Sequence, residues 1–167
     1  RLVPAAVLVP IIERPYGLTV LLTVRAPGLR HHAGQVSFPG GRLDAADPGP
    51  REAALREARE EVGLRGELVE VAGYLPNYMT ITGFSVTPVV GFVAGEFEPC
   101  PDTTEVSEAF EVPLEVLLDP ASMQLRHKRF MGVKLPFFEM PWGEHLIWGA
   151  TAAMLVNFRD ILREYGG

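Results

Sequence analysis

The chain has 167 residues, of which 47% are hydrophobic, and its 15 basic and 21 acidic residues give a formal net charge of −6. This length is enough to bury one substantial core, so we expect a single domain over residues 1–167. The acidic balance disfavours nucleic acid and anionic membranes as partners and favours a small molecule, while the single cysteine, Cys100, excludes an intramolecular disulfide and makes the cytoplasm the default location.

Apolar runs bounded by glycine and proline predict four strands and three helices. The helix near the middle of the chain has Pro50 in its first turn and Gly63 at its end, both favoured positions for these residues. Strands and helices interleave without repeats, which predicts helices packed on a mixed sheet. Because the first residue is arginine, we also expect the natural N-terminus to lie upstream. In chain order the elements are strands at 3–12 and 18–25, a helix at 51–62, strands at 68–75 and 84–93, and helices at 112–118 and 149–163.

The helix at 51–62 places three carboxylates on one side. At 3.6 residues per turn, Glu57, Glu60 and Glu61 project from one face, and Ala54 and Ala58 lie beside them on a face that can pack on a core. Like charges four residues apart cost an isolated helix about 0.2–0.5 kcal/mol, and a hard divalent cation would reverse that sign. The same pattern also occurs on solvated surface helices with weak ion pairs, so from the helix alone both interpretations stay open.

Two neighbouring features favour a site over a plain surface. Arg56 precedes Glu60 by four residues, so its guanidinium can orient that carboxylate. Gly40 and Gly41 stand upstream of the helix and Gly63 directly after it, and such glycines allow a backbone to approach phosphate closely.

Residues 41–64 resemble the Nudix box, G-x5-E-x7-R-E-U-x-E-E-x-G-U. Gly41 opens the motif and residues 56–64, R-E-A-R-E-E-V-G-L, close it. Asp47 replaces the usual glutamate, with one extra residue before Arg56, and Ala58 replaces a larger aliphatic residue. The resemblance implies a Nudix fold, an α/β/α sandwich with a mixed β-sheet, and hydrolysis of a nucleoside diphosphate linked to another group. It also makes the Gly41 carbonyl a candidate metal ligand.

The same resemblance implies roles for individual acids. Glu57 and Glu61 would be the principal ligands of Mg²⁺ or Mn²⁺, and Glu60 a further ligand or a group that orients water. Arg56 is included in the predicted catalytic set. Family members often recruit one more acid from a later loop, and Glu105 and Glu108 are both candidates here.

Residues 21–41 resemble the signature of the coenzyme A pyrophosphatase branch, L-L-T-x-R-[SA]-x3-R-x3-G-x3-F-P-G-G, at every specified position. This resemblance implies that Arg25 and Arg30 bind phosphate, which suits the planar, forked guanidinium. Gly34 and Gly40 complete the predicted substrate-binding set together with Gly41. Without the signature, the two arginines would be assigned to ordinary salt bridges.

The sequence leaves three alternatives open. The first is hydrolysis of another nucleotide conjugate, such as ADP-ribose or a dinucleoside polyphosphate. The second is a non-catalytic, nucleotide-binding regulator with the same fold. The third concerns assembly, since the sequence is compatible with a monomer and with a homodimer.

Overall fold

A computed structural model of the protein describes residues 1–29 and 33–166, and these residues form two β-sheets and three α-helices. Arg30, predicted to bind substrate, lies outside the described residues. The larger sheet contains β1 (Val3–Arg14), β2 (Gly17–Arg25), β3 (Val36–Ser37), β4 (Gly40–Arg42), β5 (Val69–Tyr74), β6 (Tyr78–Met79), β7 (Phe84–Val93) and β8 (Val106–Pro113). The other elements are α1 (Pro50–Val62), α2 (Leu114–Leu118), β9 (Gln124–Phe130), β10 (Val133–Trp142), β11 (His145–Trp148), α3 (Gly149–Tyr165) and 3-10 turns at Gly66–Leu68 and Pro120–Ser122.

The larger sheet is mixed, as predicted. Its central strands β1 and β7 are parallel and stay in register from the pair Val3 and Phe84 to the pair Ile12 and Val93. The other pairings within this sheet are antiparallel, in the order β3-β2-β1-β7-β5, with β8 on β2, β4 on β1 and β6 on β7.

Strand β1 contributes to a core on each face of this sheet. Successive side chains of a strand point to opposite faces. Leu8 and Ile12 pack in the core beneath α1, whereas Val9 and Ile11 pack in the core that includes Leu155 of α3. A helix therefore covers each face, and the predicted α/β/α sandwich is confirmed.

The smaller, three-stranded sheet was not predicted. It is antiparallel, in the order β11-β10-β9, and β11 pairs only with the end of β10 from Glu139 to Trp142. All seven residues of β9 are exposed, so this strand carries no apolar alternation for a pattern search to detect. Pro136 and Pro141 interrupt β10, and proline within a run argues against a central strand.

The helices at 51–62 and 149–163 are confirmed with small changes at their ends. The prediction of a helix over residues 112–118 was wrong in its first part, because Val112 and Pro113 complete β8 and the helix begins at Leu114. Pairing of β8 with β2 outweighs the local preference of these residues. None of the helices in the described part of the chain is long and apolar enough to cross a bilayer.

An ion pair joins β1 to β8 at the end of the hairpin. Arg14 donates from Nε and Nη2 to the two carboxylate oxygens of Glu111, at 2.9 and 2.8 Å, and the Thr19 hydroxyl donates to the same carboxylate at 2.6 Å. Arg14 also donates to the Gly95 carbonyl at 2.8 Å, and its Nη1 lies 3.5 Å from the exposed carboxylate of Glu98. The hydrogen bonds from Arg14 lower the pKa of Glu111 below its ordinary value.

Candidate active site

Helix α1 presents its acids from a closely packed position. Pro50 occupies its first turn, and Gly63 ends it in the left-handed conformation at φ 73°, with its N–H directed to the carbonyls of Ala58 and Arg59. Ala54 and Ala58 are fully buried against the sheet. Because these side chains are small, the helix axis can lie close to β1 and β4.

Glu61 is the buried member of the acidic face. It is only 5% exposed, and its Oε2 accepts the backbone N–H of Gly40 at 3.2 Å. Burial raises the pKa of Glu61 well above its ordinary value, and the neighbouring Glu57 carboxyl raises it further through a hydrogen bond and its charge. The Gly40 N–H and the charge of Arg25 act in the opposite direction on that pKa. Glu61 is therefore not a solvated surface acid.

The backbone at Gly41 lies against the Glu57 carboxyl. A β-carbon placed on Gly41 would be 2.8 Å from both Cδ and Oε2 of Glu57, closer than ordinary contact allows. At Gly40 a β-carbon would meet the Ala6 carbonyl and Val7 in β1. Glycine is required by space at Gly40, where the β1 backbone is in the way, whereas at Gly41 a side chain would displace the Glu57 carboxyl. The two glycines bring the β4 backbone beside the two acids.

Arg56 connects the helix to the loop that precedes it. Its Nε and Nη2 donate to the two carboxylate oxygens of Asp47 at 3.1 and 2.9 Å, and Nη2 also donates to the Arg42 carbonyl at 3.2 Å. Its Nη1 donates to Glu57 at 2.7 Å and to Glu60 at 3.3 Å. The hydrogen bond from Arg56 to Glu60, its predicted partner, is thus longer than the one to Glu57. The hydrogen bonds from Arg56 lower the pKa of Asp47, so this side chain stays an anion beside the guanidinium.

The predicted set of three carboxylates is only partly assembled. Glu57 and Glu61 lie together, whereas the Glu60 side chain is 56% exposed and contacts Arg56. Within residues 1–29 and 33–166, no three acidic, histidine or cysteine side chains are gathered closely enough to hold a metal ion. The role of Glu60 as a ligand stays a prediction.

The donor chemistry of the assembled pair fits a divalent metal. Two carboxylates held together, one of them buried, favour either a shared proton or a cation between them. Their oxygens are the hard ligands that Mg²⁺ and Mn²⁺ prefer. The Gly41 backbone adjoins this pair, since a β-carbon built there would lie 2.8 Å from the Glu57 carboxyl.

The structure separates the two later acids that the sequence left equal. The backbone N–H of Asp102 donates to the Glu61 carbonyl at 2.8 Å. The backbone N–H of Glu105 donates in turn to the Asp102 carbonyl at 2.9 Å. Glu105 therefore belongs to the segment tied to the end of α1. Glu108 instead pairs in register with Val24, whose side chain packs on the α3 side of the sheet, and its carboxylate lies 3.1 Å from His145 Nε2.

The other predicted substrate residues lie around one loop. Arg25 accepts a backbone hydrogen bond from Gly34 and donates one to Gln35, both at 2.9 Å, so the ends of the segment containing Arg30 are held together. Gly34 adopts φ 75°, in the left-handed region that favours glycine. Arg25 follows Val24, which packs on the α3 side, so strand alternation turns the Arg25 side chain to the α1 side, where its charge acts to lower the pKa of Glu61.

A cleft of ≈330 Å³ lies beside Gly34 on the opposite side of the sheet. The Glu108–His145 pair lines it, and the His145 ring stacks on Phe110 at 3.8 Å between centroids. Trp148 forms another part of its wall. The sequence analysis missed His145, because nothing in the sequence links it to an acid 37 positions earlier on another sheet.

Comparisons with known proteins agree with this geometry. The family model of the NUDIX domain matches residues 2–132. Proteins named Nudix hydrolase NudL from Pectobacterium atrosepticum and Klebsiella pneumoniae are 45% and 44% identical to this chain over 159 and 161 residues. Each alignment covers 90% of this chain and 78% of the relative.

Solved structures show the same fold. The Nudix hydrolase RenU from M. smegmatis superposes with a TM-score of 0.68 at 23% identity, over 97% of this chain and 86% of RenU. The NUDIX domain of Shewanella oneidensis NrtR, solved with ADP-ribose, superposes with a TM-score of 0.61 at 17% identity, over 97% of this chain and 89% of that domain. At these identities the similarity concerns the fold alone.

Proposed function

The chain belongs to the Nudix family of hydrolases, which act on nucleoside diphosphate derivatives, and from that premise we propose that its substrate is coenzyme A. Hydrolysis of the pyrophosphate bond would release 4′-phosphopantetheine and 3′,5′-ADP. The observation that carries the hydrolytic part is the pair of Glu57 and Glu61 packed against the Gly40–Gly41 backbone.

In this proposal Glu57 and Glu61 hold Mg²⁺ or Mn²⁺, with Glu60 and the Gly41 carbonyl as further candidates. Such an ion supplies Lewis acidity toward the pyrophosphate oxygens. The protein's own residues would position the substrate and the attacking water.

Two contacts fix the geometry of the acids. Arg56 is a positioning residue, because its 2.7 Å contact orients Glu57 while Asp47 holds the other side of the guanidinium. The Gly40 N–H orients Glu61 from the opposite side. Glu105, on the segment anchored to the end of α1, is our proposed general base for the attacking water.

The choice of coenzyme A rests on the signature in residues 21–41. Arg25 is proposed to bind the pyrophosphate, because its charge acts on Glu61 and therefore lies beside the proposed metal ligands. Gly34 closes the signature loop next to it through the hydrogen bond to the Arg25 carbonyl. Coenzyme A carries a separate 3′-phosphate, which gives Arg30 of the same loop a second phosphate to bind.

The test is mass-spectrometric identification of products after incubation with Mg²⁺ or Mn²⁺ and, in separate reactions, coenzyme A, dephospho-coenzyme A and ADP-ribose. We expect 4′-phosphopantetheine and 3′,5′-ADP to form fastest, and Glu61→Gln to form neither. Preference for ADP-ribose would reject coenzyme A while keeping pyrophosphate hydrolysis. Absence of cleavage with every substrate and metal would reject the hydrolytic role and favour a nucleotide-binding regulator.

A further inference from the structure

The β9–β10 hairpin extends well beyond β11, the third strand of the smaller sheet. Since β11 covers β10 only from Glu139 onward, the pairs from Leu125 and Phe138 to Phe130 and Val133 form a two-stranded ribbon without a third strand. We call residues 125–138 the arm. Six pairs spaced by about 3.4 Å give it a length of roughly 17 Å. Near its base the arm is supported by Trp148, since the Phe137 ring packs edge-on against it at 6.2 Å between centroids and Lys128 Nζ lies 5.9 Å from the same ring centroid. Beyond these contacts the ribbon has no third strand, and an isolated two-stranded ribbon is marginally stable in water, so a partner is expected to stabilise its outer part.

The tip of the arm exposes large apolar side chains. Phe130 is 47% exposed, Met131 88% and Val133 58%. Met131 has φ 49°, and it is the one residue other than glycine with positive φ in residues 1–29 and 33–166. A side chain disfavours that conformation, and asparagine or glycine is usual in such two-residue turns. A disfavoured conformation of this kind is most often found at functional positions, so the exposed Met131 side chain is our candidate contact residue.

The arm also concentrates positive charge in an acidic protein. Residues 124–135 contain no acid and four basic residues, Arg126, Lys128, Arg129 and Lys134, so this segment carries a charge of +4. Because the whole chain carries −6, the remaining residues carry −10. Arg129 stands directly opposite Lys134, an unfavourable pairing of like charges. In the described part of the chain no carboxylate lies within 4 Å of Lys128, Arg129 or Lys134.

A complementary pocket lies beside the turn between β1 and β2. It has a volume of ≈480 Å³, and its wall includes Tyr16, which is 76% exposed, and Leu18, which is 40% exposed. Glu115 also lines this pocket, and Glu13 stands opposite Leu18 in the hairpin register. Among residues 1–29 and 33–166, no Lys, Arg or His nitrogen comes within 4 Å of either acid.

We propose that the arm of one copy of this chain docks in this pocket of a second copy, and that the exchange is reciprocal. The apolar tip fills the apolar pocket, while Arg129 and Lys134, which have no carboxylate partner in the described part of the chain, meet Glu13 and Glu115. Six residues separate Leu118, which lines the pocket, from Gln124 at the base of the arm, whereas the tip lies roughly 17 Å along the arm from that base. A two-fold axis lets each tip reach the pocket of the other copy, and such an interface closes at the dimer.

The first test is the oligomeric state of the full chain by light scattering over a range of protein concentrations and salt. We expect a dimer that weakens with salt, because the contact joins opposite charges. Met131→Asp and Leu18→Asp should each weaken dimerisation by at least about 30-fold, as expected when a central apolar anchor is replaced. Ile81→Asp is the matched control, since Ile81 is 70% exposed and lies on neither surface, and its dimer should match the unmodified protein. Circular dichroism and thermal unfolding verify that each variant folds.

Mixing the two variants gives a sharper test. A chain carrying Leu18→Asp still has an intact arm, and one carrying Met131→Asp still has an intact pocket, so the mixture should form a heterodimer detectable by native mass spectrometry. A wild-type monomer at all concentrations would overturn the proposal, as would a dimer unaffected by Met131→Asp or a mixture without heterodimers. If the monomer instead sediments with phosphatidylserine vesicles, the arm binds an anionic surface and the dimer proposal fails.

Discussion

Replacing Gly41 with alanine tests whether the close approach of backbone and Glu57 is needed for activity. The new β-carbon would lie 2.8 Å from the Glu57 carboxyl, 0.6 Å short of the 3.4 Å at which ordinary contact begins. Since misplacement of a reacting group by 1 Å reduces rates by about 100-fold, we expect kcat/KM to fall roughly 10- to 100-fold. That loss corresponds to about 1.4–2.7 kcal/mol in the activation free energy. The φ angle of Gly41 is not positive, so alanine introduces no backbone strain, and the free energy of unfolding should hardly change.

The assay is steady-state hydrolysis of the preferred nucleotide conjugate, together with a Mn²⁺ titration. Gly66→Ala is the matched control, because a β-carbon there meets nothing within 4 Å. Gly41→Ala with wild-type kcat/KM and metal affinity would refute the reasoning, as would an equal loss in Gly66→Ala.

Three further predictions follow from the ion pairs and the acids. Burial raises the pKa of Glu61 to about 9, so at neutral pH Glu61→Gln replaces a protonated carboxyl by a neutral amide, and the Tm of the metal-free protein should change little while the rise in Tm on adding Mn²⁺ disappears. Glu105→Gln should lower kcat more than KM, whereas Glu108→Gln should leave kcat nearly unchanged, as measured by steady-state kinetics. Glu111→Gln should reduce the free energy of unfolding at neutral pH by about 1–2 kcal/mol, because it removes a charge-assisted hydrogen bond from Arg14.

The Glu111 prediction has a definite pH dependence. Because the folded pKa of Glu111 lies below its unfolded value, its stabilisation is complete above the ordinary glutamate pKa of about 4.3 and is lost as the pH falls through the folded pKa. Urea unfolding of the two proteins should therefore converge in acid, and a pH-independent difference would contradict the assignment. Glu98→Gln, which alters the exposed neighbour of the same arginine, should change stability by only a few tenths of a kcal/mol.

The sequence predicted the elements that have strong local signals. The helix bearing Glu57 and Glu61 has proline and glycine at its ends and apolar residues at helical spacing. Its position, its packing on a core and the proximity of the two acids could therefore be predicted from the sequence. Gly40 and Gly41 were predicted to let the backbone approach phosphate, and that stays a prediction; the contacts that the structure shows are with β1 and with Glu57.

The rest depends on contacts between distant residues. The difference between Glu105 and Glu108 comes from a hydrogen bond to the end of α1 and from strand register, and neither is encoded in local pattern. Glu60 shares a helix face with Glu61, but it points to Arg56 because that guanidinium is held in place by Asp47. The fully exposed β9 could not be detected by a method that reads burial from periodicity.

The parallel pairing of β1 with β7 also has a consequence for how the protein is made. Every pair in that ladder joins residues 81 positions apart, as Val3 with Phe84, so the centre of the sheet cannot form until more than half of the chain has been synthesised. Contacts this distant in sequence slow folding. Until β7 leaves the ribosome, the β1–β2 hairpin presents apolar side chains that the native fold buries, and exposed apolar surface of this kind makes a nascent chain prone to aggregation.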